Sequence, residues 1–304
     1  MDLRTRVKGA LERGLLLSGI PRASRRRRAG DVLVLAYHDV VPHGAAPMGD
    51  RSLHLPRSAF ARQLDLLRAT HDVIPLEAAL ARGAARASRP SAVITFDDAY
   101  RGAVTGAIEE LEARGMPATV FVPPAFVGGG AFWWDALTPP GAPGLPADVR
   151  EHALTALAGR SDAILAGEES RGALDAIPSY ARCATEAELR RAAAVPGITL
   201  ASHTWSHPNL AALQPEALDD ELRRPLAWLR ERFDEVLPLL TYPYGLASPA
   251  VERAAREAGY EAALRIDGGW LSRAPADRYA LPRMDVPAGL SPAGFRLRIA
   301  GLIG

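Results

Sequence analysis

The sequence predicts an α/β protein built on a parallel sheet. Apolar, β-branched runs alternate with segments of helical periodicity along most of the 304 residues, and the 48% of hydrophobic residues is enough for a sizeable core. Parallel strands need crossover connections, which the predicted helices supply. A barrel and an open sheet both fit this order, and in both the polar side chains that follow the strands meet at one mouth.

The first part of the chain supplies two buried strands and a helix. DVLVLAYHDV, which begins at Asp31, is apolar and β-branched before it turns polar, and SAVITF, 91–96, is an unbroken apolar run. Residues 42–57 contain several Gly and Pro and predict a loop. SAFARQLDLLRATHD, 58–72, predicts a helix with Ser58 as its N-cap.

The alternation continues to the end of the chain after one interruption. Predicted strands cover 117–122, 197–201, 236–242, 260–266 and 279–286, and predicted helices cover 76–82, 101–114, 184–194, 215–233 and 248–259. Residues 124–184, with PPAFVGGGAFWWD and PPGAPGLP, predict a helical and loop insertion in one domain and not a second fold. Pro225 lies inside the helix 215–233 and predicts a kink or a division there.

The two ends of the chain flank the predicted domain, which covers 31–290. A helix is expected over 291–304, and a basic leader over 1–30. The apolar patch of the leader, 14–20, is far shorter than a membrane span of about 20 residues and has no clear signal-peptide cleavage pattern. We interpret 3–18 as an amphipathic helix, and favour a solvated leader over peripheral attachment to an anionic membrane surface. The predicted location is cytoplasmic, at the inner membrane face in the second case.

Bulk properties narrow the classes of protein. The formal net charge of +1 gives no reason to expect a nucleic-acid partner. Cys183 is the only cysteine, which excludes an intrachain disulfide, and no flanking motif indicates a nucleophile there. The sequence does not indicate the oligomeric state.

Two motifs at predicted strand ends indicate metal chemistry. Asp97 and Asp98 follow the strand SAVITF, and His203 and His207 in SHTWSHPNL follow the strand 197–201. His-x3-His with a carboxylate from elsewhere suits a divalent transition metal, whereas the alternative is two solvent-exposed histidines on a loop. One aspartate would complete the ligand set. The other would take a proton from a metal-activated water, which indicates metal-assisted hydrolysis.

At this point the chain resembles a known family. ITFDDAY, SHTWSHP and TYPYG, in this order, resemble the polysaccharide deacetylases of carbohydrate esterase family 4, over about residues 31 to 287. The resemblance implies a distorted, incomplete (β/α) barrel and a hydrolase that removes N- or O-acetyl groups from sugar polymers. It also implies Asp97 as the general base that acts on a zinc-bound water.

The same resemblance assigns the metal and the oxyanion site. Asp98, His203 and His207 would bind a divalent metal, Zn2+ in most members, with Co2+ or Ni2+ as alternatives. The backbone N–H of Tyr244, in TYPYG, would help to form the oxyanion hole.

Two positions depart from the family pattern. Thr241 stands where the third motif commonly has an arginine that pairs with the base, and Arg283 stands where the fifth motif commonly has a histidine as general acid. His38 in AYHDV resembles the Tyr-His opening of deacetylases from exopolysaccharide synthesis, including those that act on poly-N-acetylglucosamine, which implies His38 as the acid. The alternative is a strand-end histidine bonded to backbone. Arg283 is expected to reach Asp97, and the alternative is a surface arginine.

Four further residues are candidates for substrate contacts. Trp270 and Asp267 in IDGGW fall near the fourth motif of the family, and we expect a wall of the acetyl pocket and a second-layer partner, with core packing and turn capping as alternatives. Trp133 and Trp134 in the insertion would either stack on sugar rings or anchor the insertion.

The expected function is a metal-dependent carbohydrate deacetylase, acting on an acetylated carbohydrate and most readily on N-acetyl groups. The substrate would be a polysaccharide, an oligosaccharide or a lipid-linked sugar. Two other classes stay open. One is a carbohydrate-binding homologue with impaired catalysis, which the departures at Thr241 and Arg283 favour. The other is a metal-dependent amidohydrolase that cleaves a C–N bond in a small molecule.

Overall fold

A curled parallel sheet forms the centre of the molecule. The computed structural model describes residues 3–81, 88–139, 141–166, 168–272 and 277–303. The strands of the main sheet are β1 (Val32–Tyr37), β4 (Asp72–Val73), β5 (Ser91–Phe96), β6 (Ala118–Val122), β7 (Ile198–Ser202), β8 (Val236–Thr241), β9 (Ala262–Leu264) and β10 (Met284–Asp285). Their order is β10-β1-β5-β6-β7-β8-β9, with β4 added beside β5, and every pairing of these strands is parallel.

Helices surround this sheet. They are α1 (Leu3–Leu17), α2 (Ile20–Arg27), α3 (Arg57–Thr70), α4 (Leu76–Ala81), α5 (Ile108–Glu112), α6 (Trp133–Leu137), α7 (Ala147–Thr155), α8 (Ser161–Ile164), α9 (Glu168–Asp175), α10 (Glu186–Ala193), α11 (Pro215–Arg232), α12 (Pro249–Glu257) and α13 (Pro292–Arg298). A π-helical turn, Ala103–Ala107, precedes α5, within the predicted helix 101–114. Among the described residues, no helix is both long and apolar enough to span a membrane.

The two central strands explain why polar side chains meet at one end of the sheet. All six residues of β1 and all six of β5 are buried, as expected for strands that are covered on both faces. Their register pairs Val32 with Ser91 and Tyr37 with Phe96, so that both strands end at the same level. His38 and Asp97, the next residues along the chain, therefore start at neighbouring positions.

The chain from 278 to 286 joins the two edges of the curled sheet. The Leu281 N–H donates to the Ala263 carbonyl at 3.1 Å on the β9 side, and the Val286 N–H donates to the Ala36 carbonyl at 3.0 Å on the β1 side. The predicted α/β fold with a distorted, incomplete (β/α) barrel is confirmed. The predicted strand over 279–286 is regular only in β10, because this segment crosses from one edge to the other.

The structure differs from two local expectations, a division of the helix at Pro225 and an N-cap at Ser58. Helix α11 is not divided at Pro225, since four leucines on one face hold it against the core: Leu218, Leu222, Leu226 and Leu229. Helix α3 begins at Arg57 directly after Pro56, so that Ser58 lies inside the helix and is not its N-cap.

The predicted loop 42–57 contains a strand that sequence periodicity could not reveal. Strand β3 (His54–Pro56) pairs with β2 (Asp39–Val41) in a separate two-stranded sheet, and Asp39 lies opposite His54. A three-residue strand is too short to show alternation. This small sheet carries His54 and Asp39 into the interior, where both are fully buried.

The insertion 124–184 begins and ends close to the turn after β5. The Cys183 N–H donates to the Gly130 carbonyl at 2.8 Å, and the Ala184 N–H donates to the Ala99 carbonyl at 2.9 Å. The start of α6 is buried, with Phe132 and Trp134 stacked at 4.7 Å between ring centroids. Aromatic burial therefore anchors the insertion to the core.

The N-terminal helices pack against the C-terminal helix. Ser291 caps α13 and also donates from its hydroxyl to the Glu12 carboxylate at 2.8 Å, while the Ser24 hydroxyl donates to the Ala300 carbonyl at 2.6 Å. The first two residues and Gly304 lie outside the described residues. The division into a leader, a domain and a terminal helix stays a prediction.

Candidate active site

The turn after β5 separates the two neighbouring aspartates. The Asp97 N–H donates to the Tyr37 carbonyl at 2.9 Å, which continues the β1–β5 ladder by one residue. Asp98 and Ala99 then take the left-handed backbone conformation, with φ of 65° and 49°. This conformation is unfavourable by about 1 kcal/mol for a residue with a Cβ. The sharp turn directs Asp97 and Asp98 to different partners.

A second strained loop presents the two histidines. Thr204 and His207 have φ of 64° and 58°, and the His207 N–H donates to the Thr204 hydroxyl at 3.1 Å. The Trp205 and Ser206 N–H groups donate to the Glu221 carboxylate of α11 at 2.9 and 2.8 Å. Helix α11 thus holds the loop that follows β7.

Backbone strain is concentrated in the loops of the predicted motifs. In the described ranges, six residues other than glycine have a positive φ, and five of them follow β5, β7 or β8: Asp98, Ala99, Thr204, His207 and Tyr244. Such residues persist where the surrounding structure holds them, and they cluster at functional sites.

The carboxylate of Asp98 and the imidazoles of His203 and His207 form a candidate metal centre. Oδ1 of Asp98 lies 3.5 Å from Nε2 of His203 and 3.4 Å from Nε2 of His207, and one ligand atom of each residue lies within 4.8 Å of the others. All three side chains are buried. Oδ1 of Asp98 has no hydrogen-bond partner among the described residues, which a cation would satisfy.

The protonation states of these three residues suit a divalent cation. Burial lowers the pKa of His203 to about 4, and burial followed by the nearby charge of His203 lowers the pKa of His207 well below its usual value. Both imidazoles are therefore neutral and keep a lone pair for a metal near neutral pH. Burial and then the charge of Asp97 raise the pKa of Asp98, which means that the negative charge of Asp98 is unfavourable there. A bound cation would offset this charge. Two imidazoles and one carboxylate fit zinc and its neighbours.

Thr241 orients one of the histidines. Nδ1 of His203 lies 2.9 Å from the Thr241 carbonyl oxygen and 2.6 Å from its hydroxyl oxygen. An Nδ1–H that donates to the carbonyl leaves Nε2 as the ligand atom, which is the usual support for a metal-binding histidine. The residue that departs from the family pattern therefore contacts a candidate ligand.

Asp97 pairs with Arg283. The Arg283 guanidinium donates to both carboxylate oxygens, at 2.8 and 2.7 Å, and its exposed fraction is only 1%. It also donates to the Thr95 hydroxyl and the Arg265 carbonyl, each at 3.1 Å. Burial alone would raise the pKa of Asp97, but the Arg283 charge, the charge of His203, the Arg283 hydrogen bonds and the charge of His38 together outweigh burial and hold that pKa below its usual range. Asp97 is therefore ionised at neutral pH.

One cavity of about 350 Å³ collects most of the predicted site residues. Eight of the eleven line it: His38, Asp97, Asp98, Trp134, His203, His207, Tyr244 and Arg283. It lies at the carboxyl ends of β1, β5, β7 and β8, which is where a parallel α/β fold places its chemistry. Arg150 from α7 also lines it, so that the insertion forms part of the wall.

The two neighbouring tryptophans have different positions. Trp134 lines the cavity, lies 4.9 Å from His207 between ring centroids, and donates from Nε1 to the Tyr100 hydroxyl at 2.8 Å. Trp133 is fully buried and donates from Nε1 to the Tyr244 hydroxyl at 3.1 Å. Of the two alternatives for Trp133, anchoring of the insertion fits its burial and stacking on a sugar ring does not, and its ring supports Tyr244 from behind.

Trp270 and Asp267 do not reach the cavity, and their predicted roles there are wrong. Leu271 pairs with Val32 at the start of β1, so that the segment after β9 runs to the opposite end of the sheet. The Trp270 ring stacks on His71 at 5.9 Å, and Asp267 is exposed. Core packing, the alternative interpretation, describes Trp270.

A buried charged network, which the sequence did not predict, lies beside the candidate metal centre. His54 lies between two carboxylates, with Nδ1 2.8 Å from Asp39 and Nε2 2.9 Å from Asp135, and the Tyr100 hydroxyl donates to Asp135 at 2.7 Å. Burial alone would lower the pKa of His54, but Asp135 and Asp39 raise it to about 10. The imidazole is thus a buried cation that joins β2, β3 and α6. No local pattern could have revealed it, because its members come from a predicted loop and an insertion.

The comparisons with known proteins identify the family of this chain. A family model described as polysaccharide deacetylase matches residues 84–263, more than half of the chain. The chain therefore belongs to the polysaccharide deacetylase family. No significant match was found among curated proteins.

Solved structures share the fold at low sequence identity. IcaB from Ammonifex degensii superposes with a TM-score of 0.61 at 18% identity, over 90% of this chain and 96% of that chain. The Streptococcus pyogenes deacetylase PplD in complex with acetate gives 0.61 at 17%, over 88% and 97%. BC0361, a polysaccharide deacetylase from Bacillus cereus, gives 0.63 at 15%, over 88% and 69%. These similarities show a common fold.

Proposed function

We propose that this chain is a metal-dependent hydrolase that removes acetyl groups, in particular N-acetyl groups, from a saccharide. One observation carries the proposal. The buried set of Asp98, His203 and His207 faces a cavity beside an ionised Asp97, in a chain of the polysaccharide deacetylase family. A homologue that only binds carbohydrate would not need a buried ligand set with an oriented histidine.

Asp98, His203 and His207 would hold the cation. Their nitrogen and oxygen donors suit zinc best, with cobalt and nickel as close alternatives. When bound, the cation would polarise the acetyl carbonyl and supply an activated water for attack. Thr241 would keep the His203 ring in the orientation that presents Nε2.

Asp97 would act as the general base. Arg283 fixes the carboxylate in one orientation through two hydrogen bonds, and each oxygen keeps a second lone pair for the water proton. The low pKa of Asp97 makes this carboxylate a weak base, but it also keeps the carboxylate ionised throughout the neutral pH range. Arg283 thus takes the part that the family pattern commonly gives to an arginine at the Thr241 position.

His38 would act as the general acid. It follows β1 directly, it is half-buried, and it lines the same cavity as Asp97. In the reaction the C–N bond breaks, and the leaving amine takes a proton from this imidazole while acetate forms. The Tyr244 backbone N–H would donate to the carbonyl oxygen as negative charge develops there.

The cavity and a sequence motif support the proposed substrate class. A volume of about 350 Å³ falls in the range of small-ligand sites and suits a saccharide unit. The AYHDV motif supports the exopolysaccharide type of deacetylase, with a polymer of N-acetylated sugar as substrate.

Acetate release from a panel of acetylated saccharides tests the proposal. The panel includes N-acetylglucosamine oligomers of increasing length, an O-acetylated polymer and small N-acetyl amides. We expect zinc-loaded protein to release acetate from at least one saccharide, and the Asp97→Asn variant to lose this activity with its zinc content unchanged. A full zinc site with acetate released only from small amides would favour the amidohydrolase alternative.

A further inference from the structure

The first 30 residues carry a charge opposite to that of the remaining chain. They contain nine Arg or Lys and two Asp or Glu, a net charge of +7, so that residues 31–304 carry −6 within the total of +1. Helix α2, whose sequence is IPRASRRR, holds four of these nine basic residues. The asymmetry is independent of the catalytic cavity.

Three arginines of α2 share one face of the helix. Arg22, Arg25 and Arg26 have the spacing i, i+3, i+4, and they line a depression of about 280 Å³ together with Arg89. Within the described part of the chain, these three form no ion pair, whereas neighbouring Arg28 and Arg89 each pair with an aspartate. Burial and the charges of Arg22 and Arg296 lower the pKa of Arg25, a sign of crowded like charges.

Exposed apolar side chains lie beside this charge. Leu17 at the end of α1 is 88% exposed and Ile20 at the start of α2 is 46% exposed, on either side of Gly19. Leu11 of α1 is also largely exposed. Glu12 fixes α1 to α13, and by helical geometry Leu11 and Leu17 both lie on the half of α1 that faces away from Glu12.

We propose that α2 and the end of α1 form a docking surface for an anionic lipid bilayer. Arginines suit phosphate groups at the membrane surface, and the exposed Leu17 side chain would enter the boundary between headgroups and acyl chains. Charge complementarity identifies the partner, since the unpaired arginines of α2 follow closely in the chain on the exposed Leu17 at the end of α1, an apolar side chain that a nucleic-acid surface would not require.

The docking surface lies at the end of the sheet opposite to the cavity. The depression also borders Thr70 and Pro90, which lie just before β4 and β5, whereas Asp97 follows β5. Six residues of strand separate the two ends by roughly 20 Å. A bilayer bound at this surface would leave the cavity open to water, so that a polymer could still reach it.

Vesicle sedimentation with the full chain tests the inference. We expect binding to vesicles of equimolar phosphatidylcholine and phosphatidylglycerol, no binding to pure phosphatidylcholine, and a decrease with salt. The triple variant Arg22→Gln, Arg25→Gln, Arg26→Gln should bind on the order of a hundredfold more weakly, since each basic residue at an anionic surface contributes about a factor of five.

A matched variant separates this surface from a general charge effect. Arg191, Arg230 and Arg253 are exposed on α10, α11 and α12, and their replacement by Gln changes the net charge equally. This control should bind as the wild type does, and Leu17→Ser should weaken binding without changing the charge. Circular dichroism checks that each variant is folded.

Three results would overturn the inference. They are no binding to anionic vesicles at low salt, equal losses in the triple variant and its control, and duplex DNA that displaces the protein from vesicles and binds it more tightly than lipid does. Because the readout is sedimentation, a failure of the proposed deacetylase activity would leave this result unaffected.

Discussion

The carboxylate of Asp97 and the guanidinium of Arg283 form a buried, two-point ion pair at 2.8 and 2.7 Å. The two residues are far apart in the chain, and β10 brings them together because it lies beside β1, which in turn lies beside β5. Arg283 balances the negative charge of Asp97, which would otherwise be buried without a partner beside Asp98. This ion pair explains how two neighbouring aspartates can both lie at the end of one strand.

Replacing Arg283 with Gln should destabilise the protein and change its pH dependence. Breaking a buried ion pair on one side costs about 3–5 kcal/mol. Without the guanidinium, burial raises the pKa of Asp97, so that the acidic limb of the kcat/KM profile should move to higher pH. Urea unfolding and a pH–rate profile measure the two effects.

The matched control for this change is Arg101→Gln. Arg101 pairs with Glu188 at 3.0 Å in a partly exposed position, where an ion pair contributes only about 0–1 kcal/mol. An acidic limb that stays in place in Arg283→Gln would show that Arg283 does not tune Asp97.

Replacing His38 with Gln should lower kcat while zinc content stays the same. The loss of a general acid typically costs about 10²–10⁴-fold in rate. Substrates with a good leaving group, such as acetylated phenols, need less protonation and should lose less. An unchanged kcat with an N-acetyl sugar would contradict the acid role.

Thr241→Val should weaken zinc binding only modestly. The variant removes the hydroxyl near Nδ1 of His203 but keeps the backbone carbonyl that accepts its proton. We expect zinc affinity to fall by no more than the roughly 10–100-fold that removal of such a supporting partner typically causes. Asp98→Ala, which removes a candidate ligand, should lose far more. Competition with a chelating dye measures both, and equal losses would contradict the assignment.

The buried His54 cation should make stability depend on pH in the alkaline range. Its pKa is about 10 in the folded protein against 6.5 for an unperturbed histidine, so its contribution is complete below about 6.5 and is lost as pH rises towards 10. Within that window the free energy of unfolding should fall by about 1.4 kcal/mol per pH unit more in the wild type than in His54→Gln. Parallel stability curves for the two proteins would contradict a charged His54.

Gly49→Ala should destabilise the same network. Gly49 has φ of 71°, and an added Cβ would lie 2.2 Å from Oδ1 of Asp135, which accepts from the Asp50 N–H and contacts His54. The matched control is Gly44→Ala, because Gly44 has φ of 81° and open space around it. This variant should lower the free energy of unfolding by only about 1 kcal/mol. Thermal unfolding of the two variants should therefore differ clearly, and similar melting temperatures would contradict a tight contact at Gly49.

Polar residues that follow parallel strands meet at one end of the sheet, and this strand-end rule predicted most of the site. The rule depends only on the order of the strands. Asp97, Asp98, His203 and His207 each follow a strand of one parallel sheet, so their convergence did not require knowledge of the loops. The polar residue after β1, His38, joins them for the same reason.

The rule failed where the chain leaves the sheet. Trp270 comes after β9 and two glycines with positive φ, and the chain there turns towards the start of β1. His54 and Asp135 come from a three-residue strand and from an insertion, whose positions depend on long-range packing and not on periodicity. A sequence motif from another protein can mark such residues only when the spacing is retained.

The most direct test of the central claim is acetate release by one protein preparation before and after removal of its metal. Wild-type protein is stripped with a chelator, assayed on N-acetylglucosamine oligomers, and assayed again after one equivalent of zinc is restored, with His203→Ala treated in parallel. We predict that activity is lost on stripping, returns with zinc in the wild type, and does not return in His203→Ala. Full activity of the stripped wild type, with its zinc shown to be absent, would contradict a metal-dependent reaction at Asp98, His203 and His207.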